Sequence, residues 1–368
     1  MILRWLVLLA VLPLRAWPDQ ITLLSWNVAG NGANDWTTNS AQVQAIGRIV
    51  RHLQPDIVTL QEIPHPHVSE MTNFIKAYLP QHELARASGT DGSIRSVIAS
   101  RFPINRQQKW LDGELLNAFG YDGRFTRDLF EAEIAVPGWP QPLHVFTTHL
   151  KSMFDADSVA RRSAEALAIS NFVVHVFYPS WTNQPFVLTG DFNEDHVVHA
   201  ASGAGVVAKL THPAVGLHLA TPRNPSTGSE RTFSIRTSLQ SRLDYVLPNG
   251  QLHSNIITSQ IFRTGNLHPL PPGLLTNDDR TASDHLPVLM VFGNPYPQSF
   301  RVTRIELSGD LLSLRWDSKP GRRYNVESSS DLVTWSTNAT DLLVGGTNAI
   351  WNTAAPGGSR YYRIRMNP

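Results

Sequence analysis

Two short stretches, Gly190-Asp191-Phe192-Asn193 and Ser283-Asp284-His285, hold the side chains of this sequence best equipped for chemistry. Each lies against an apolar run that reads as a buried strand: Phe186-Val187-Leu188-Thr189 leads into the first, and Leu286 to Phe292 follows the second. Alternation along a strand puts Asp191 and Asn193 on the same side, two residues apart. A carboxylate beside a carboxamide at a strand end suits the positioning of water, phosphate or a hard cation. Gly-Asp and Asp-Asn pairs are also ordinary turn chemistry, so one motif alone says little.

Further polar residues fall at the ends of other apolar runs. Ser25-Trp26-Asn27 closes the first, where Asn27 offers a carbonyl oxygen, and Leu60-Gln61-Glu62 closes the second with a carboxylate. Thr148-His149-Leu150 closes a third, and Arg242-Leu243-Asp244-Tyr245 opens another. Several polar groups at strand ends of one sheet are expected to converge on one mouth. Oxygen donors with imidazole and no thiol select a hard cation, Mg²⁺ first with Mn²⁺ or Ca²⁺ as alternatives, over structural Zn²⁺. Glu62 is the best candidate for direct ligation.

The elements that must carry these residues are legible as periodicity. Strands are expected at Ile21–Trp26, Asp56–Gln61, Ser96–Ser100, Leu129–Val136, Leu143–Thr148, Phe186–Thr189, Arg242–Leu247 and Pro287–Phe292. Helices are expected at Ala41–Leu53, Val68–Tyr78 and Ser158–Phe177. Interleaved strands and helices indicate an α/β or α+β sandwich. Past the Pro- and Gly-rich Gly293–Pro297 the helical period disappears, and short runs at Val302–Leu307, Leu311–Trp316, Arg323–Glu327 and Arg360–Ile364 read as a small all-β sandwich.

Composition narrows the field. The 368 residues suit one large domain with a small one, and 42% hydrophobic with 17% charged residues describes a chain with a real core. With 31 basic and 30 acidic residues, no global field draws it to nucleic acid or membrane. Residues 1–16, a short positive start and an apolar stretch ending at Ala16, read as a signal peptide, so a secreted, periplasmic or cell-surface location is expected. No later segment is long and apolar enough to span a bilayer. The chain has no cysteine, which excludes disulfides, thiolate metal sites and a cysteine nucleophile.

The motifs Ser-Trp-Asn27, Gln-Glu62, Thr-His149-Leu, Gly-Asp191-Phe-Asn193, Arg-Leu-Asp244-Tyr and Ser-Asp284-His285 stand in an order that resembles the endonuclease/exonuclease/phosphatase superfamily. Its members include pancreatic-type deoxyribonucleases, AP endonucleases, inositol polyphosphate 5-phosphatases and bacterial sphingomyelinases. The resemblance covers residues 20–294 and implies a four-layered α/β/β/α sandwich that hydrolyses a phosphoester by in-line attack of water. By position, Asn27 and Glu62 would hold the metal and Asp284 would sit beside it or a second one. His285 would be the acid/base, oriented by Asp244. Asp191 would activate or protonate at the scissile phosphate, Asn193 would orient the nucleophile, and His149 would contact the phosphate. Arg127, in Phe125-Thr126-Arg127-Asp128, sits where several branches place a phosphate-binding arginine. The implied partner is a phosphodiester, nucleic acid among the candidates, acted on by a monomer with no stable protein partner.

Departures from the family pattern refine the branch. AP endonucleases carry an acidic residue where this chain has Ala29, and a Tyr-rich motif where it has Thr148-His149-Leu150, so AP-site repair is disfavoured. Phosphomonoesterase, sphingomyelinase-like phospholipase and inactive binding protein are the other readings, with Leu115–Tyr121 and Leu267–Leu275 as loops that could meet lipid. The segment 299–368 resembles a β-rich module appended to many exported bacterial proteins, which implies a fibronectin-III-like sandwich without a catalytic constellation. Its Trp316, Trp335, Trp351, Tyr361 and Tyr362 read as core. Asp155 and Asp157 read as a helix N-cap, Arg161 and Arg162 as a solvated face, and His65 and His67 as an exposed turn.

Overall fold

A computed structural model describes residues 20–29, 36–199, 205–296, 301–319, 322–356 and 360–366. The expected signal peptide lies outside them. The chain divides after Tyr296 into two compact units.

In the first unit, one mixed sheet contains six strands: β1 (Gln20–Asn27), β2 (Ile57–Pro64), β3 (Glu83–Ala85), β4 (Ile94–Ser100), β10 (Ile256–Ile261) and β11 (Val288–Gly293), in the order β10-β11-β1-β2-β4-β3. A second sheet orders β5 (Ile104–Trp110), β6 (Leu129–Ile134), β7 (Leu143–His149), β8 (Phe186–Asp191) and β9 (Asp244–Pro248) consecutively. Helices α1 (Ala41–Leu53) and α2 (Met71–Tyr78) cover the outer face of the first sheet, and α3 (Ala156–Phe172) covers that of the second. The layers are therefore α/β/β/α.

Strand alternation explains both the core and the site. On β1, Leu24 and Trp26 face the helices, while Ile21 and Leu23 enter the core shared by the two sheets. Val145 on β7, Val187 on β8 and Val246 on β9 do the same from the opposite sheet. Continuing each series by two residues gives Ser25 and Asn27, Thr147 and His149, Thr189 and Asp191, and Asp244. The layer between the sheets thus turns from apolar to polar along its length. Part of it pairs across the gap: Thr59 and Thr189 hydroxyls lie 3.0 Å apart, and Gln61 Nε2 donates to Thr147 Oγ1 at 2.9 Å.

Two helices and three strands of this unit differ from the sequence expectation. The helix expected from Val68 begins as a 3₁₀ turn, His65–Glu70, with Pro66 near its start, and becomes α-helical at Met71. The helix expected over Ser158–Phe177 is α only to Phe172 and widens to a π-turn at Val173–Phe177. Strands β3, β5 and β10 were not expected; β5 reads Ile-Asn-Arg-Gln-Gln-Lys-Trp because it is a largely exposed edge.

The second unit consists of two antiparallel three-stranded sheets. One orders β12 (Val302–Ser308), β13 (Leu311–Asp317) and β16 (Asn348–Ala354); the other places β14 (Arg323–Ser329) between β15 (Ser336–Leu343) and β17 (Tyr361–Met366). Leu314, Trp316, Tyr324, Val326 and Ile364 form its core. Of the aromatic residues read as core, Trp316 is buried, but Tyr361 is exposed because alternation on β17 turns it outward.

Candidate active site

Strand pairing brings the candidates together before any side chain is considered. His149 is register partner to Asp191 across the parallel pair β7–β8, and Asp191 is partner to Asp244 across the antiparallel pair β8–β9. The expectation of a single sheet is corrected here: from the facing sheet, Asn27 ends β1 beside Gln61 of β2, and His285 stands just before β11. Gly190 makes the close approach of β7 and β8 feasible: a Cβ there would lie 1.8 Å from the Thr148 carbonyl oxygen, and its φ of 142° excludes most side chains.

Asp191 is the centre. Its Oδ2 accepts from Asn27 Nδ2 at 2.9 Å and lies 3.7 Å from the Nε2 atoms of both His149 and His285. Its Oδ1 accepts from the Asn193 backbone N at 2.8 Å. Burial and the nearby Asp244 push its pKa up to about 7, against the pull of His285 and the two hydrogen bonds.

The two histidines differ. His285 Nδ1 donates to Asp244 Oδ2 at 2.8 Å, which fixes the tautomer and leaves Nε2 facing Asp191. Burial alone would lower its pKa, but Asp244 and Asp191 outweigh this and raise it to about 10. His149 has no hydrogen-bond partner on Nδ1. Burial, then the Arg127 and His285 charges, hold its pKa well below the usual histidine range, so its approach to Asp191 is that of a neutral ring.

Glu62 and Asn27 lie side by side, Asn27 Nδ2 donating to Glu62 Oε1 at 3.0 Å. Glu62 occupies a bulge where the β2–β4 register shifts, with φ of 64°. Bulges recur next to active sites because they re-aim a side chain. The Asn27 carboxamide is turned differently from expectation. Its nitrogen faces the two carboxylates, and its oxygen accepts from Ala29 N at 2.9 Å. The Ser283 hydroxyl donates to the Asn27 backbone carbonyl at 2.7 Å, tying the Asp284-His285 turn to β1.

Asp191, Asp244 and His285 offer ligand atoms within 4.8 Å of one another. His285 Nδ1 and Asp244 Oδ2 are committed to the hydrogen bond between them, an arrangement suited to proton handling. The donors that fit a hard cation are Glu62, half-exposed, and Asp284, whose buried Oδ1 has no hydrogen-bond partner. Asn27 Oδ1 accepts one hydrogen bond and retains a second lone pair.

Two expectations need correction. Asn193 does not share a strand face with Asp191: β8 ends at Asp191, Asn193 has φ of 53°, and its side chain donates to the Leu150 carbonyl at 3.1 Å. Arg162 is buried rather than solvated, and donates to the carbonyls of Lys151 and Met153. Asp155 caps α3 as expected, accepting from Ser158 N. Arg127 lies beside His149 but is only 7% exposed, with one terminal nitrogen paired to Asp91 at 2.7 Å and the other donating to the His149 carbonyl at 2.7 Å. It braces the end of β7 instead of facing open solvent.

Several contributors escaped the sequence reading. Asp91 holds Arg127, Thr232 Oγ1 accepts from the Leu243 and Asp244 backbone, and the Phe233 ring lies 4.8 Å from His285. Glu165 of α3 accepts from Thr126 N and Lys151 N, both at 2.8 Å. All are remote in sequence from the groups they support. Only Glu165, an acid one turn beyond Arg161 and Arg162, carried a signal.

The chain belongs to the Endonuclease/Exonuclease/phosphatase family, which its sequence matches over residues 24–285. It is thereby a hydrolase of the phosphoesterase class, in a family typically dependent on divalent metal, and it carries the buried Asp–Asp–His group described above. Similar solved structures include truncated TDP2 from Caenorhabditis elegans, with 15% identity, a TM-score of 0.51 and coverage of 74% of this chain and 98% of that one. A family protein from Bacteroides vulgatus aligns at 16% identity and TM-score 0.53, over 75% of this chain and 100% of that one. One from Bacteroides thetaiotaomicron aligns at 18% and 0.52, over 74% and 97%. At such identities the likeness shows the fold. Compared by sequence with curated proteins, the chain matches none. Among the described residues no helix is long and apolar enough to cross a membrane.

Proposed function

We propose that the chain is an exported, divalent-metal-dependent phosphodiesterase of endonuclease type, acting as a monomer, with its catalytic domain in residues 20–294. One observation carries the reading: a single buried oxygen, Asp191 Oδ2, faces both His149 and His285 at 3.7 Å. Such a site has one acid held neutral or charged near pH 7, one cationic ring and one neutral ring around the space for a phosphate. Asp191 accepts the proton of the attacking water, its raised pKa suiting it to that task. Asn193 holds the turn after Asp191 and orients the nucleophile from there. His285 donates from Nε2 to the departing oxygen while Asp244 stabilises the imidazolium. His149 hydrogen-bonds a non-bridging oxygen, and Arg127 fixes the strand end on which His149 stands. Glu62, Asn27 and Asp284 would hold the cation, Mg²⁺ by preference, which supplies electrostatic stabilisation of the phosphate's developing charge.

Nucleic acid is the favoured substrate class. The TDP2 of D. rerio, similar in fold at 17% identity, was solved with a single strand DNA product. The apolar segment within residues 1–16 supports export, and residues 299–368 carry no part of the catalytic constellation. The test is a panel with Mg²⁺: plasmid DNA, RNA, sphingomyelin, bis(p-nitrophenyl) phosphate and the monoester p-nitrophenyl phosphate. Cleavage of the aryl diester and of a nucleic acid is expected. Turnover of the monoester alone would overturn the reading.

A further inference from the structure

The turn that carries Asp284 and His285 is held from outside by a second segment. Ser234 N and Ile235 N both donate to the Asp284 carbonyl, at 2.9 and 3.0 Å, and the Phe233 ring lies 4.8 Å from that of His285. With Ser234 at φ of 74° the chain turns here, so that Ile235 enters the core and Arg236 is exposed. Arg236 directly follows a residue bonded to that turn, which puts its Cα within roughly 9 Å of the Asp284 carbonyl oxygen. Its guanidinium is fixed through Nε, which donates to the Arg280 carbonyl at 3.2 Å, while among the described residues both terminal nitrogens lack a partner. Arg280 stands in the short helix Asp278–Ala282, four residues before Asp284, exposed and with its side chain unpaired among the described residues. The acids of that helix do not neutralise it. Asp278 and Asp279 are buried, the first against Arg48 at 2.6 Å and the second against Arg263 at 3.6 Å. Asp284, the remaining carboxylate of this turn, is assigned above to the cation. Two guanidiniums without a carboxylate partner are thus anchored beside the turn that ends in His285.

We propose that Arg236 and Arg280 bind a second phosphate of the substrate, the one next along the strand from the scissile diester, and so select an oligonucleotide over an isolated diester. The proposal rests on the phosphodiesterase reading above and specifies its substrate. An arginine fork held by Nε presents two terminal N–H groups, the geometry that meets two oxygens of one phosphate. A nucleic acid strand repeats its phosphate at every nucleotide, so a diester seated beside His285 brings another anion to the edge of the site. An aryl diester has no second anion to offer.

The test uses three substrates with Mg²⁺: a pyrimidine oligonucleotide, deoxy or ribo as wild type cleaves, the same oligomer with every phosphate but the scissile one replaced by neutral methylphosphonate, and bis(p-nitrophenyl) phosphate. Wild type is compared with Arg236→Gln, Arg280→Gln and the double variant. On the oligonucleotide each single variant should lose about tenfold in kcat/KM, the order expected for a hydrogen bond to a charged group, and the double variant more. The slope of log kcat/KM against log salt should become shallower by about 0.7 in the double variant, the value for one phosphate contact on a single strand. On the methylphosphonate oligomer and the aryl diester all four proteins should be alike. An unchanged kcat/KM and salt slope on the oligonucleotide in the double variant would overturn the proposal. So would equal losses on all three substrates, which would instead show damage to the His285 turn. Wild type that cleaves the aryl diester but neither type of oligonucleotide would overturn the proposal while leaving phosphodiester hydrolysis standing. Wild type that cleaves none of them would overturn the parent reading.

Discussion

The two flanks of Asp191 present the same ring at the same distance, one as a cation and one neutral. On the β11 side, His285 has a buried carboxylate on Nδ1 and is held as a cation. On the β7 side, His149 has no partner on Nδ1, and Arg127 stands behind its strand end. Distance to the central carboxylate therefore does not decide what a histidine does. What decides is the group on its far nitrogen and the charge behind it.

The largest break in that contrast should come from the β11 side. Asp244→Asn removes the group that keeps His285 charged and oriented, and turnover of an aryl phosphodiester should fall by about 10²–10⁴-fold. Wild-type turnover in a folded variant would show that the pair is structural. On the β7 side, His149→Gln keeps a donor but changes its reach. A loss of about ten- to a hundredfold is expected, the range for one hydrogen bond to a charged group. A loss as large as that of Asp244→Asn would mean that both rings move protons.

Stability against pH sharpens the same contrast in metal-free protein. His285 has a folded pKa raised above its unfolded value, so its contribution is full below about pH 6.5 and is lost as pH rises towards 10. His149 has a lowered folded pKa, so its effect runs the other way: stability is lost as pH falls below about 6.5. Denaturant titrations of His285→Ala should therefore flatten the alkaline limb, and those of His149→Ala the acidic limb. Changes on the same limb in both variants would contradict the assignment. The smallest effect should come from Arg127→Met. Removing that charge raises the His149 pKa, visible as a displaced imidazole titration by nuclear magnetic resonance, with the His285 titration little changed.

How much of this was legible follows the range of each interaction. Asn27, Glu62, His149, Asp191, Asp244 and Asp284-His285 could be read because each ends or opens an apolar run; that these ends belong to two facing sheets could not. The same runs indicated only an α/β or α+β sandwich; the four α/β/β/α layers were implied by the resemblance to the family. The exposed edge β5 was not legible, because its residues carry no apolar alternation. Asn193 was misplaced because the turn at Gly190–Asn193 breaks the period that alternation assumes. The bracing of Arg127 depends on Asp91, a partner in a separate loop. Arg162 looked like its neighbour Arg161, and only the packing of α3 against the segment after His149 distinguishes a buried arginine from a solvated one.

The central claim is that His285, held as a cation beside Asp191, serves phosphodiester cleavage. Its most direct test is the rate of bis(p-nitrophenyl) phosphate hydrolysis by Mg²⁺-loaded wild type and His285→Ala at neutral pH, with both proteins shown to be folded. The account predicts measurable hydrolysis by wild type and a loss of about 10²–10⁴-fold in the variant. Hydrolysis by His285→Ala at the wild-type rate would contradict it.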